Sequence, residues 1–299
     1  MQKITPNFWF NRNAEEAVNL YTAVFPDSRV TQITRYGKEG YEFHGMPEGT
    51  VLTIAFELCG EAFVALNGGP QFSLNPSVSF MVMCHTEDEV RTLWNKLGEG
   101  GTILMGLDKY DWSACYGWVN DRFGVSWQLY LCNEAYTGQK IVPTLMFTGA
   151  QCGKAEEAVH FYTSVFEDSA EEGILRYAPG EEDREGLVKH AQFRVRDYVL
   201  MAMDSSLPHP FSFNEAVSFI VPCHTQAEID HYWDALVAGG GAESQCGWLK
   251  DKFGVSWQIV PLQLYRLLEQ EDKERAARVT NAMLRMRKLI IADLEAASV

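Results

Sequence analysis

The feature that most constrains this chain is an internal repeat. Ala14-Glu15-Glu16-Ala17-Val18 returns as Ala155-Glu156-Glu157-Ala158-Val159, and Tyr21-Thr22 with Val24-Phe25 returns as Tyr162-Thr163 with Val165-Phe166. Asp27-Ser28, Arg35-Tyr36, Val78-Ser79-Phe80 and Cys84-His85-Thr86 recur as Asp168-Ser169, Arg176-Tyr177, Val217-Ser218-Phe219 and Cys223-His224-Thr225. Phe123-Gly124-Val125-Ser126-Trp127-Gln128 matches Phe253-Gly254-Val255-Ser256-Trp257-Gln258. The matches keep one order in both halves, which marks a duplicated domain. The expected boundaries are 1–131 for copy one, 132–140 for a linker carrying Gly138, 141–261 for copy two and 262–299 for a tail outside the repeat.

Within copy one, residues 5–10 predict a strand. Asn13 with Glu16 three residues later is a capping-box-like helix start that places Ala17, Leu20, Tyr21 and Val24 on one face. Pro26 ends that helix. Residues 30–36, 51–58 and 62–66 predict three strands, the last running into the turn Asn67-Gly68-Gly69-Pro70. Residues 78–84 restart the pattern: Thr86 with Glu89 is a second capping box, and Val90, Leu93, Trp94 and Leu97 form an apolar stripe closed by Gly98. Strands near Ile103, near Trp118 and over 125–130 follow. Each copy therefore reads as two β-α-β-β-β modules. One helix per three strands cannot build an alternating parallel sheet, so the expected class is α+β. The two modules of a copy are expected to pair into one curved sheet, helices on one face and a concave cavity on the other, with helices added at the C-terminus.

Composition narrows the partners. A formal net charge of -15 repels phosphate backbones and anionic membrane surfaces, so neither nucleic acid nor a membrane is an expected partner, and a cationic ligand is weakly favoured. The seven cysteines are odd in number and contain no C-x-x-C, so buried free thiols are expected in place of a disulfide framework or structural zinc. With no signal-like start and no apolar run long enough to span a bilayer, a cytoplasmic location is expected.

Several segments resemble a known family. They are Ile4-Thr5-Pro6 with Trp9-Phe10, Ala65-Leu66-Asn67-Gly68-Gly69-Pro70, Tyr116-Gly117-Trp118, and Cys246-Gly247-Trp248-Leu249-Lys250-Asp251-Lys252-Phe253-Gly254-Val255-Ser256-Trp257-Gln258. The tail segments Ala282-Met283-Leu284 and Met286-Arg287-Lys288 join them. The chain resembles, over nearly its whole length, the tandem PhnB-like proteins of the glyoxalase/bleomycin-resistance/dioxygenase (vicinal oxygen chelate) superfamily, often labelled demethylubiquinone 3-methyltransferase-like. The resemblance implies two glyoxalase-like domains. It does not imply one chemistry, because that superfamily includes lyases, dioxygenases, resistance enzymes and binding proteins.

It also implies a metal site of His and Glu on paired strands. By the resemblance, Asn7 and Thr144 stand at the first histidine, Ala65 and Ala202 at the second acidic position, Val78 and Val217 at the second histidine, and Gln128 and Gln258 where metal-binding relatives carry glutamate. Amides and aliphatic groups are poor ligands for transition metals. No cofactor is therefore expected, and a divalent metal serving a glyoxalase, lyase or dioxygenase is the alternative. Alternation over 189–195 puts His190, Gln192 and Arg194 on one face, which makes His190 the general-base candidate, with Gln258 and Asp204 as polar companions and Thr53 as its counterpart. Trp9, Trp118 and Trp248 are candidates to line an apolar pocket. His85 and His224 each precede a capping threonine and read as corner residues, Cys84 and Cys223 read as core thiols, and Cys246 is a nucleophile only if its pKa is lowered. Methyl transfer from S-adenosylmethionine is disfavoured, because the runs Gly98-Glu99-Gly100-Gly101 and Gly239-Gly240-Gly241 follow helices where a cofactor loop would precede one.

In the tail, Leu264, Leu267 and Leu268, then Val279, Met283, Met286 and Ile290, recur at helical spacing, with a break expected near Asp272. The expected function is a small-molecule enzyme or binding protein without a tightly held metal, with copy two the more site-like half. A sequestering protein for a cationic aromatic ligand is the alternative. The chain is expected to act as a monomeric pseudo-dimer or as a homodimer.

Overall fold

Alternation sets the first strand and then every other. In β1 (Thr5–Phe10), Phe8 and Phe10 enter the core while Asn7 and Trp9 point to the opposite face. The computed structural model describes residues 4–132, 136 and 138–299. The expected linker at 132–140 thus lies partly outside the described residues, at 133–135 and 137, as do residues 1–3.

The first module continues through α1 (Ala14–Val24), β2 (Arg29–Arg35), the short α2 (Tyr41–His44), β3 (Val51–Leu58) and β4 (Glu61–Asn67). The second comprises β5 (Val78–Cys84), α3 (Glu87–Gly98), β6 (Thr102–Tyr110), β7 (Ser113–Asn120) and β8 (Ser126–Leu131). Copy two repeats this with β9 (Ile141–Phe147), α4 (Ala155–Val165), β10 (Ala170–Arg176), β11 (Val188–Val195) and β12 (Tyr198–Asp204). Its second module is β13 (Val217–Cys223), α5 (Gln226–Val237), β14 (Ala242–Glu243), β15 (Trp248–Lys250) and β16 (Ser256–Pro261).

The modules pair across the repeat. Sheet A has the order β14-β15-β16-β13-β1-β4-β3-β2 and sheet B the order β10-β11-β12-β9-β5-β8-β7-β6. Sheet A joins the first module of copy one to the second module of copy two through the antiparallel β1–β13 pair, Asn7 opposite Ser218. Sheet B joins the remaining modules through β5–β9, Ser79 opposite Thr144. The class is α+β as expected, but each concave face draws on both copies. The helix-side core does follow the repeat. Phe8 of sheet A meets Phe80 of sheet B at 5.0 Å between ring centres, and Tyr21 on α1 packs on Trp127 at 5.4 Å, both pairs within copy one.

The repeated Phe-Gly-Val-Ser-Trp-Gln segment is part of that core. Asp251 accepts the N–H groups of Phe253 (2.9 Å) and Val255 (3.1 Å), the Trp257 indole N–H (2.9 Å) and the Tyr162 hydroxyl (2.8 Å). Asp121 does the same for Phe123, Val125, Trp127 and Tyr21. Gly124 and Gly254 sit at φ 95° and 92°, a left-handed conformation that side chains strain to adopt, so the turn is closed by glycine in both copies.

Two capping expectations divide. Thr86 and Thr225 accept from Glu89 and Glu228 as the capping boxes require. Asn13 makes no side-chain cap; the N–H of Ala14 is instead accepted by Asn67 at the end of β4, 3.0 Å away. Asp204 is the counterpart of Asn67 and accepts from Gly153 (2.7 Å), Ala155 (3.2 Å) and Val188 (3.1 Å).

The tail forms three helices, α6 (Leu262–Leu268), α7 (Lys273–Leu284) and α8 (Ile291–Ala297). Asp272 caps α7 through Glu274 and Arg275, which explains the break there. Leu264, Val279, Leu289 and Leu294 are buried in a cluster with Ile220 and Val260 from the concave face of sheet A. Each such aliphatic burial contributes about 1.5–3 kcal/mol, enough to hold an appendage down. No helix among the described residues is long and apolar enough to cross a membrane.

Candidate functional site

Faces are assigned by what packs. Val78, Val217, Ala65 and Ala202 lie in the helix-side core, so the residue-by-residue expectation that put metal positions there is corrected by one place. Strand registers leave Asn7 beside Ser218 and Val64 on the concave face of sheet A, and Thr144 beside Ser79 and Met201 on that of sheet B. Gln258 donates to the Ser218 hydroxyl (2.9 Å), and so does Asn7 (3.3 Å). In sheet B, Gln128 donates to Ser79 (2.7 Å) and accepts from the Tyr116 hydroxyl (2.7 Å), while Thr144 donates to the Met201 sulfur (3.8 Å). These positions supply amide, hydroxyl and thioether groups. A transition ion asks for imidazole, thiolate or carboxylate, so this donor set does not fit one. No group of three or more His, Cys, Asp and Glu side chains among the described residues is arranged to hold a metal.

The swapped pairing separates residues that the sequence put together. His190, Thr144, Gln128 and Trp118 are on sheet B, whereas Gln258, Trp248, Asn7 and Trp9 are on sheet A. Gln258 is therefore no companion of His190; Gln128 is the glutamine sharing its sheet. Asp204 is also corrected: its carboxylate faces the helix side and holds the start of α4, leaving no oxygen for a ligand. On sheet A, Trp9 donates to the Gly69 carbonyl (2.8 Å) and meets Trp248 edge to face at 5.9 Å and Phe72 at 5.0 Å. Those rings stand on that concave face, and the tail covers Ile220 and Val260 on the same face.

Sheet B presents a different surface. Trp118 bonds Ser126 (2.8 Å) and clusters with Tyr116 and Met146, against which Met105, Tyr110, Tyr130, Met203 and Phe211 pack. Met81, Met83 and Met201 form the adjoining patch. Flexible thioethers and aromatic rings make an adaptable apolar wall. At its edge a cleft of about 420 Å³ is lined by Glu172, Gly173, Ile174, Leu175, His190 and Gln192. Burial pushes the His190 imidazole below its ordinary pKa, so it is neutral at pH 7 and able to accept a proton or hydrogen bond.

The sheet is strongly curled. β11 and β7 are five strand spacings apart in sheet B, about 24 Å if it were flat. Yet the Lys189 ammonium lies 5.8 Å from the ring of Trp112, at the β6–β7 turn, and 5.4 Å from Tyr177. Glu181 pairs with the same ammonium at 2.7 Å. Trp112 stacks on Tyr110 (4.9 Å) and meets Tyr116 edge to face (5.8 Å), so an aromatic strap crosses the mouth of the concave face.

Other candidates resolve into structure. Burial pushes the Cys246 thiol up to about 11 and Cys223 up to about 12, the opposite of what a nucleophile needs. The His85 and His224 N–H groups are accepted by Glu89 and Glu228 at the strand-to-helix corners. A recess of about 490 Å³ at Pro26, Cys59, His85 and Lys140 is a junction between elements, its Lys140 ammonium already paired with Glu89 at 2.6 Å. The glycine runs follow α3 and α5 and end those helices. Sequence reasoning missed Ser79, Tyr116, Trp112 and the methionine wall. Ser79 carried a signal, since the repeated Val-Ser-Phe places a hydroxyl opposite two core residues on one strand; the methionines and the strap carried none.

Comparison with known proteins places this architecture. The family described as 3-demethylubiquinone-9 3-methyltransferase matches residues 2–130 and 139–260. A PhnB protein from Bacillus cereus is 41% identical over 44% of this chain and 100% of its own, with a TM-score of 0.40. Glyoxalase I from Zea mays, 10% identical, covers 85% of this chain and 92% of its own with a TM-score of 0.54, a likeness of fold alone. No curated protein matches the chain.

Proposed function

The chain belongs to the 3-demethylubiquinone-9 3-methyltransferase family, and from that premise we propose that it is a small-molecule enzyme or binding protein, working without a tightly held metal, whose site is the concave face of sheet B. The observation that carries this reading is His190. It is neutral and faces a cleft that Gln192, opposite Met201 between β11 and β12, joins to the methionine patch, on the concave face that the tail does not cover. A ligand extending from this cleft across the concave face would meet Gln192 first, then the thioether of Met201, and farther along the sheet the Gln128–Tyr116 pair. His190 then acts as the acceptor for a ligand hydroxyl or amine and, if the protein is an enzyme, as the general base. Nothing in this site resembles a glycine-rich cradle for an adenosyl cofactor, so the reading does not include methyl transfer.

A second reading, sequestration of a cationic aromatic ligand, is favoured by the strap. The protein already holds one ammonium, that of Lys189, between two rings and a carboxylate at the mouth of this face. The net charge of -15 would draw cations toward it.

Elemental analysis of the purified protein, with thermal shifts on addition of manganese, nickel and zinc, tests the first reading against His190→Ala. Substoichiometric metal and no shift are expected for both proteins. Near-stoichiometric metal that falls in the variant would overturn the reading and bring metal-assisted lyase or dioxygenase chemistry forward.

A further inference from the structure

The two sheets present equivalent concave faces, but among the described residues they are covered unequally from outside the repeat: three helices of the tail lie on sheet A, whereas on sheet B Cys132 and Tyr136 of the linker pack beside Met83 and Met201 at one end. Ile220 and Val260 of sheet A occupy the places that Met81 and Tyr130 occupy in sheet B. The sheet B pair is partly exposed, whereas the sheet A pair is buried under the tail. We propose that the C-terminal tail is a built-in occupant of the sheet A concave face, so that the chain offers one small-molecule site, on sheet B, and holds a second, latent apolar site beneath α6–α8. The count of one open site rests on the reading given above; the latent site does not.

The neighbouring chain is shaped around this occupant. The N–H groups of Cys246 and Gly247 are accepted by the Met286 and Arg287 carbonyls, both at 2.8 Å, so the tail is stitched to the turn before β15. Gly247 has φ 84°, and a Cβ there would stand 3.1 Å from Leu289 and 2.7 Å from the Ile259 carbonyl. A side chain at that turn would clash with the Ile259 carbonyl and crowd the docked leucine. Lys288 pairs with Asp234 (2.7 Å) and Asp230 (3.2 Å) on α5, and Glu269 accepts from Gln32 on the edge strand β2.

The chemistry of the latent site follows from what the tail inserts and what lies beneath it. The tail supplies Leu264, Leu289 and Leu294, uncharged and aliphatic, to a surface whose deeper row is Asn7, Ser218 and Gln258. The site exposed by its release would take a neutral apolar molecule with at most one hydrogen-bonding group.

Fluorescence titration of the full-length protein with the neutral dye Nile red tests this, using Leu289→Asp and, because a buried aspartate risks misfolding, the surface reversal Lys288→Glu. Cleavage by trypsin after Arg285 or Arg287 reports whether the tail is released, and cooperative thermal unfolding reports that the body stays folded. One dye site is expected in the wild type and two in a folded, tail-released variant. Two sites in the wild type, or one in a folded variant with its tail released, would overturn the proposal. So would a tail that resists trypsin in both variants, because it is then not a separable occupant. No site in the wild type but one in the released variants would support the latent site while refuting the sheet B reading.

Discussion

Replacing Glu61 by glutamine should stabilise the protein above neutral pH and leave it nearly unchanged near pH 5. Glu61 opens β4, and its Oε1 accepts the N–H groups of Lys140 (2.5 Å) and Ile141 (3.1 Å), tying the start of copy two onto copy one. Its Oε2 is sealed from water with no hydrogen-bond partner among the described residues. Burial pushes the carboxyl up from 4.5 to about 7, against the pull of those two N–H groups and the Lys140 ammonium. A rise of roughly two and a half pH units corresponds to at most about 3 kcal/mol. Because the folded value is the higher one, the folded state holds the proton more tightly than the unfolded chain. Stability therefore falls as pH rises from about 4.5 to about 7 and is level above that. Glutamine keeps an oxygen for the two N–H groups and carries no charge to desolvate. Urea unfolding of both proteins at about pH 5 and about pH 8 should show a difference that is small at the lower pH and reaches about 2–3 kcal/mol at the higher. A difference independent of pH, or a variant less stable at the higher pH, would refute the argument.

Three further predictions rest on other parts of the fold. Asp251→Ala strips four buried donors of their acceptor and should cost about 4 kcal/mol, while Asp251→Asn, retaining one oxygen, should cost about half that in denaturant unfolding; equal costs would show that the carboxylate is not the organising group. Gly254→Ala must hold a side chain at φ 92° and should lower stability by about 1–2 kcal/mol with no change in the helices by circular dichroism; an unchanged melting temperature would mean that the turn relaxes freely. Trp112→Ala removes one wall around the Lys189 ammonium, an interaction of about 0.5–1 kcal/mol, and should speed amide exchange at the β6–β7 tip several-fold while β5 and β9 stay protected. Unaltered exchange at the tip would mean that the strap is held by something else.

Much of the candidate site was legible in the chain, and its errors have identifiable causes. Alternation along β11 put His190 and Gln192 on one face and Ala191 and Phe193 on the other, and the structure has them so, because a half-buried strand leaves no second choice. Asp204 was misread because a carboxylate at the end of a strand looks the same whether it serves a ligand or the start of the next helix. Only the distance to Gly153 and Ala155, fifty residues away in sequence, separates the two. Val78 and Ala65 were misplaced by one position, and in a strand a one-residue shift exchanges the faces.

The sequence by itself determined the modules: the repeat, the β-α-β-β-β order within it, the capping threonines and the two-residue alternation of strands such as β11. These are local properties, carried by spacings of two to four residues, and they hold whatever the module packs against. Only the tertiary structure decided which modules share a sheet and what covers each concave face. β1 pairs with β13 and β5 with β9 through backbone hydrogen bonds, and the strands offering them share one alternation in the two copies, with Val-Ser-Phe opening both β5 and β13, so no local pattern distinguishes a partner in the same copy from one in the other. That choice parted His190 from Gln258, joined it to Gln128, and left the tail to close one of two otherwise equivalent faces.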